Sequence, residues 1–193
     1  MTVFLSSESS LVSREERESL GNHKGRVLWF TGLSGAGKST LARNFDRALF
    51  ERGIRSFILD GDNIRAGLNQ GLGFSDEDRR ENIRRVAEVA KLMAGAGMVV
   101  IVALITPKQE YRDQARKIIG EKDFSEIFVD CDLKTCQDRD PKGFYKKAAR
   151  DEIKNYTGLA SEYESPLSPD LAINTSTTNE EDSLKMLLNF YIT

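Results

Sequence analysis

The run Gly32-Leu33-Ser34-Gly35-Ala36-Gly37-Lys38-Ser39 fits the spacing G-x-x-x-x-G-K-[ST] in full. Successive backbone N–H groups can converge on a phosphate chain only where side chains do not block the approach, and Gly32, Gly35 and Gly37 leave this loop bare. Leu33, Ser34, Ala36 and Thr40 complete the stretch that would wrap the anion. Lys38 has the reach to place an ammonium on the β and γ phosphates. The Ser39 hydroxyl has the chemistry of a Mg²⁺ ligand, and a helix starting there would aim its positive end at the same charge.

A second group of polar residues follows at the sequence Asp60-Gly61-Asp62-Asn63-Ile64-Arg65. Two carboxylates at the carboxyl end of a strand suit an acceptor hydroxyl and a cation-bound water, one of them orienting or deprotonating the hydroxyl and the other holding the water. Read alone, the same residues also fit an ordinary Asx-type turn. Next, Ser75 and Asp78 have capping-box spacing, so a long helix should start there. Arg79 in its first turn sits against the helix dipole, which points to a bound anion, and Asn82 lies three residues on. Arg80, Glu81, Arg84 and Arg85 read as a solvated charged face.

The elements that position these groups alternate. Apolar runs at 27–30, 56–59, 98–104, 127–129 and 171–173 read as strands, and amphipathic stretches at 39–52, 76–94, 108–119, 133–139 and 180–190 read as helices. The 98–104 run is apolar on both faces, as in the interior of a parallel sheet. The whole is a doubly wound α/β arrangement. In the 76–94 helix, Ile83, Val86, Ala87, Ala90 and Ala94 form one buried stripe. Residues 140–169 break the alternation, with Pro166 and Pro169 near their end, and read as a lid.

Length and composition narrow the class. A chain of 193 residues, 39% hydrophobic and 30% charged, suits one globular domain. Lys and Arg number 28 against 30 Asp and Glu, a formal charge of −2, so no broad nucleic-acid footprint is expected. No apolar run nears the roughly 20 residues of a membrane span. Val3-Phe4-Leu5 lacks a basic flank, so no secretory signal is expected, and a cytoplasmic location with Cys131 and Cys136 reduced follows. His23, the single histidine, reads as an exposed bystander. Residues 1–23 read as a flexible or short helical extension, and 24–193 as one domain. A phosphate loop by itself leaves a switch, a motor or a small kinase open. The chain lacks the N-K-x-D motif of guanine readers, and its length favours a compact kinase.

Beyond the loop, further segments carry a resemblance. Asp60 to Leu68, the Gly-Phe-Ser at 73–75, Glu81-Asn82-Ile83-Arg84-Arg85-Val86-Ala87-Glu88-Val89-Ala90-Lys91, Arg139-Asp140-Pro141-Lys142-Gly143, and Glu152-Ile153-Lys154-Asn155-Tyr156-Thr157-Gly158 together resemble the adenylylsulfate kinase family over about residues 24–175. The resemblance implies a P-loop NTPase-type three-layer domain with a five-stranded, mainly parallel sheet and a lid. It also implies transfer of the ATP γ-phosphate to the 3′-hydroxyl of adenosine 5′-phosphosulfate, with Mg²⁺.

By position, the resemblance assigns the acceptor to Asp62, Arg65, Phe74, Arg79, Asn82, Ile105, Thr106, Lys142, Asn155 and Tyr156. It places Arg139 on the ATP adenine, and Lys38, Asp62 and Thr106 are the catalytic candidates. A homodimer is implied, and a separate ATP sulfurylase is a candidate partner. The chain departs from the family pattern in three places: Thr106 stands where some members carry a phosphorylatable serine, Lys108-Gln109 replaces an aromatic-Arg pair, and in the lid Asp151 and Tyr156 replace Gly and Phe. Arg112 and Arg116 keep the register near the second departure. Two rival readings stand beside this one, a same-fold kinase for another nucleotide-like acceptor and a nucleotide-binding regulatory subunit.

Overall fold

The computed structural model describes residues 10–150, 152, 157–159 and 161–192. Its elements run α1 (Arg14–Gly21), β1 (Arg26–Thr31), α2 (Lys38–Phe50), β2 (Ser56–Asp60), α3 (Gly61–Ala66), α4 (Asp76–Gly95), β3 (Val99–Ala103), α5 (Gln109–Ile119), β4 (Phe124–Asp130), α6 (Leu133–Arg139), α7 (Phe144–Ala148), β5 (Leu171–Asn174) and α8 (Glu180–Ile192). The sheet order is β2-β3-β1-β4-β5, and all four pairings are parallel.

The period of two along each strand divides the core. Leu28 and Phe30 of β1, with Val99, Ile101 and Ala103 of β3, face Phe45 and Leu49 of α2 and Leu187 of α8. Val27 and Trp29, with Val100 and Val102, face the opposite layer, where Val86, Ala87 and Ala90 of α4 meet Tyr111 and Ala115 of α5. Both layers are apolar because parallel strands bury both faces. The chain leaves β1 first toward β2 and β3 and later toward β4. A crevice therefore opens at the carboxyl ends of the central strands, where open α/β sheets take ligands. No helix among the described residues is long and apolar enough to cross a membrane.

Several expectations change in detail. Strand β4 starts at Phe124, earlier than expected, because Phe124 is buried against Trp29 with ring centroids 5.9 Å apart. Helices α3 and α7 occupy stretches read as turn and lid. Helix α1 is closed by a capping box between Ser13 and Glu16, and Arg14 ties it to the sheet through the Gly25 carbonyl at 2.6 Å and Asp123 at 2.7 Å. At α4 only half of the expected box forms: Ser75 Oγ accepts from the Asp78 N–H and donates to its carboxylate at 2.7 Å. His23 is not a bystander, since its Nε2 accepts the Arg55 N–H at 3.1 Å and fastens the approach to β1 onto the approach to β2.

A charged pair sits within the apolar layers. Arg112 Nε lies 2.8 Å from Glu126 Oε1, with side chains 1% and 4% exposed, a close charge contact without an aligned hydrogen bond. Burial pushes the Glu126 carboxyl up in pKa against the pull of Arg112 and Arg116. Arg112 also donates to the Thr106 carbonyl at 2.9 Å and to Gln109 Oε1 at 2.7 Å, so it props the turn after β3 from below. Removing one member strands the other charge in the interior. Glu126→Ala should cost roughly 3–5 kcal/mol, a Tm loss of roughly 6–20 °C in scanning calorimetry for a chain of this size.

Candidate functional site

The loop after β1 is shaped by close approach. Gly32 has φ +149° and a Cβ there would stand 2.3 Å from the Val129 carbonyl oxygen, while at Gly35, φ +80°, it would stand 2.8 Å from the Cys136 carbonyl oxygen. Neither backbone neighbour can yield, so the loop needs glycine at both places. Gly37 then caps α2.

Each carbonyl from Gly32 to Ala36 has a partner. Lys38 Nζ donates to Gly32 O at 2.8 Å and Leu33 O at 2.7 Å. The Tyr145 hydroxyl donates to Ser34 O at 3.0 Å, Arg139 to Gly35 O at 3.3 Å, and Thr175 Oγ1 to Ala36 O at 2.7 Å. Where Tyr145 and Thr175 hold the Ser34 and Ala36 carbonyls, the trans peptide units turn the Gly35 and Gly37 N–H groups the other way, while the Ala36 N–H closes a turn onto Leu33 O at 3.2 Å. Lys38 is buried, and burial together with the charge of Lys142 lowers its ammonium pKa to about 8 against the opposing pull of Asp60 and Asp62. A phosphate chain restores the charge that burial opposes.

Asp60 and Asp62 separate into two tasks. Ser39 Oγ donates to Asp60 Oδ2 at 2.6 Å, and Asp60 Oδ1 accepts the Asp62 N–H at 3.1 Å, capping α3. Asp62 instead points across the crevice and pairs with the ammonium of Lys142. Among the described residues, no three His, Cys, Asp or Glu side chains cluster as a metal-binding set.

One cavity of about 990 Å³ joins these groups to the rest. Ser34, Gly35, Gly37, Lys38, Ser39 and Thr40 line it from the loop side, and Arg139 beside Thr175 and Thr178 lines one end. Asp62, Arg65, Phe74, Arg79, Asn82, Ile105, Thr106 and Lys142 line the other. Gly32, Leu33 and Ala36 lie outside that lining. Asn155 and Tyr156 lie outside the described residues.

Arg65 and Arg79 at this end donate to backbone oxygens. Arg65 donates to Leu72 O and Gly73 O and stacks on Phe74 at 4.4 Å; Arg79 donates to Phe74 O at 3.0 Å and to Thr157 Oγ1 at 3.2 Å. Burial lowers the pKa of both guanidinium groups, in Arg65 with help from the charge of Arg79. Two partly buried positive charges beside one ring have the chemistry to take an anion against a flat wall. Phe74 itself stays 54% exposed. Asn82 is buried, its Oδ1 taking a hydrogen bond from Asn69 at 2.9 Å. Arg112 and Arg116 are not in this wall: the first pairs with Glu126 and the second with Asp170 at 2.9 Å.

Sequence reading missed Tyr145 and Thr175, whose contacts with the loop span 111 and 139 residues. Thr175 follows β5 directly, at the strand end where ligand-side residues gather, and that placement was the available signal.

Thr106 takes an unusual backbone for a β-branched residue, φ +45°. Its hydroxyl accepts the Trp29 indole N–H at 3.0 Å, within the layer beneath the crevice. Thr106→Val would leave that donor buried and unpaired, a loss of about 1–3 kcal/mol. The urea midpoint should fall accordingly and the emission of the single tryptophan should change, while Thr106→Ser should restore both.

Comparison with known proteins places these features in context. A family model for adenylylsulphate kinase matches residues 24–174. A probable adenylyl-sulfate kinase of Halalkalibacterium halodurans is 54% identical over 176 residues, 91% of this chain and 87% of that protein. An adenylyl-sulfate kinase of Clostridium acetobutylicum is 49% identical over 183 residues, 95% of this chain and 91% of that protein. Among solved structures, the Mycobacterium tuberculosis APS kinase CysC in complex with AMPPNP and APS superposes with TM-score 0.85 at 44% identity, covering 88% of this chain and 99% of that one.

Proposed function

The chain belongs to the adenylylsulphate kinase family, and on that premise we propose how the two ends of its crevice divide one reaction. The reaction is transfer of the γ-phosphate of ATP to the 3′-hydroxyl of adenosine 5′-phosphosulfate, giving 3′-phosphoadenylyl sulfate and ADP. The observation that carries the assignment of residues is the single cavity in which a phosphate loop faces a carboxylate, two guanidinium groups and an exposed aromatic ring.

ATP lies along the loop, with Lys38 on the β and γ phosphates and Arg139 at the adenine end. Lys38 gives up at least one of its two carbonyl contacts to do so. Mg²⁺ fits the corner beside it. Ser39 donates its hydroxyl hydrogen to Asp60 in a hydrogen bond, which leaves the oxygen lone pairs next to a carboxylate, a hard pair that would suit a cation keeping water and phosphate as its other ligands. When bound with ATP it supplies positive charge to the phosphate oxygens.

The acceptor occupies the other end. Arg65, Arg79 and Lys142 meet its phosphosulfate, Phe74 and Tyr156 its adenine, and Asn82, Ile105, Thr106 and Asn155 complete the wall. When Lys142 moves from Asp62 to the anion, Asp62 is freed to take the proton of the 3′-hydroxyl. The 3′-oxygen bonds to the γ-phosphorus as the bond from that phosphorus to the β,γ-bridging oxygen breaks, and the electron pair leaves with ADP. Residues 140–169 act as a lid over this exchange. Thr106 supports the acceptor wall through its bond to Trp29. A homodimer, a cytoplasmic location and contact with ATP sulfurylase complete the proposal, the first to be read by sedimentation velocity.

An ADP-release assay with Mg-ATP should show turnover with adenylylsulfate and little with AMP or a non-nucleotide alcohol. Asp62→Asn should lower kcat by ~10²-fold or more with ATP affinity preserved. Near-normal turnover in that variant would move the base elsewhere.

Phe74→Ala tests the flat wall. Loss of one stacking contact should weaken adenylylsulfate by roughly 5- to 150-fold. The KM for ATP and the melting temperature should hold, and equal losses for both substrates would contradict the division of the crevice.

A further inference from the structure

Tyr145 has no part in the acceptor contacts assigned to the lid, yet it is the most deeply placed residue of α7. It is 4% exposed and packs within the core layer that holds α2 and α8. Its hydroxyl leaves that layer to reach the Ser34 carbonyl at 3.0 Å. The turn before it is fixed by Asp140, whose two carboxylate oxygens accept the Tyr145 and Lys146 N–H groups, each at 3.1 Å. Gly158, from the far end of the lid, lies against the same hydroxyl; a Cβ there would stand 3.5 Å from it.

We propose that Tyr145 is a positioning residue of the phosphate loop, setting the direction of the Gly35 N–H through the Ser34 carbonyl. The two groups belong to one trans peptide unit and point opposite ways. A carbonyl held outward by a buried phenol therefore holds the N–H inward, toward the crevice that Gly35 lines. Across this turn the Leu33 carbonyl accepts the Ala36 N–H at 3.2 Å, but such a bond does not fix which way the central Ser34–Gly35 peptide unit faces, and Gly35 has no side chain to resist its rotation, so the Tyr145 hydroxyl supplies that restraint. Arg139 holds the next carbonyl in the same manner, but it is an exposed side chain with several acceptors, whereas Tyr145 is buried. The root of the lid thus serves the ATP end of the crevice as well as the acceptor end, where Lys142 works. The inference rests on the reading of the loop as the ATP site.

Tyr145→Phe removes the hydroxyl and keeps the ring packing. Binding of Mg-AMPPNP, measured by calorimetry below the melting onset with the folded fraction checked by Trp29 fluorescence, should weaken by about 3- to 10-fold, the worth of one hydrogen bond to a buried carbonyl. The KM for ATP should rise in step, and that for adenylylsulfate should stay within about twofold. Unchanged AMPPNP affinity in the folded variant overturns the inference, as does an equal loss for both substrates, which would mean general loosening. Failure of the unmodified protein to bind AMPPNP would overturn the ATP-site reading and the inference together.

Discussion

The site depends on which way five peptide units face. From Gly32 to Ala36 the carbonyls are all engaged by side chains, two by Lys38 and one each by Tyr145, Arg139 and Thr175. A bare glycine loop has little preference of its own, and an anion site made of amides is useful only if the amides are already turned. The restraint is therefore exported to α7, to the end of α6 and to the residue after β5. Those three pieces must be correctly placed by the sheet before the loop acquires its function.

The same economy shows on the acceptor side. Arg65 donates to the main-chain oxygens of Leu72 and Gly73, and Arg79 to that of Phe74, so backbone carbonyls hold both guanidinium groups beside one ring. Asp62 is paired with a side chain, and its partner Lys142 comes from a segment outside the sheet. Asp60, two residues earlier at the end of β2, is committed to Ser39 and to the first turn of α3. Two acids separated by a single glycine in sequence thus have different neighbours and cannot exchange roles.

What could be read before folding was local. The loop motif, the apolar runs that became β1, β2, β3 and β5, and the buried stripe of α4 each rest on spacing within one element, and each appears where expected. The start of β4 escaped because Ser125 and Glu126 interrupt its apolar pattern, although both are buried, Glu126 against Arg112. Helix α1 carries a Ser13–Glu16 capping box but buries no residue, so periodicity gave little signal. The roles of His23, Tyr145 and Thr175, and the pairing of Arg112 with Glu126, come from partners more than ten residues away, and spacing within one element carries no mark of them. At the site itself, residue types pointed to the phosphate side, whereas the gathering of Arg65, Phe74 and Arg79 at one wall needed the resemblance.

The parallel sheet also has a consequence for how the chain is made. Its central strand β1 finds its first partner in β3, where Arg26 aligns with Val99, a separation of 73 residues (99 − 26). At the ordinary pace of a ribosome, that is roughly 4–15 s during which an almost wholly apolar strand has emerged without a neighbour. Lys38, part of the loop, can satisfy its first carbonyls early, but the last is met only when Thr175 leaves the exit tunnel. The nascent chain therefore presents an apolar strand long before its first partner and completes its anion cradle last. Binding of nucleotide can reward only a finished molecule, and the interval before that is the one in which a chaperone would have most to hold.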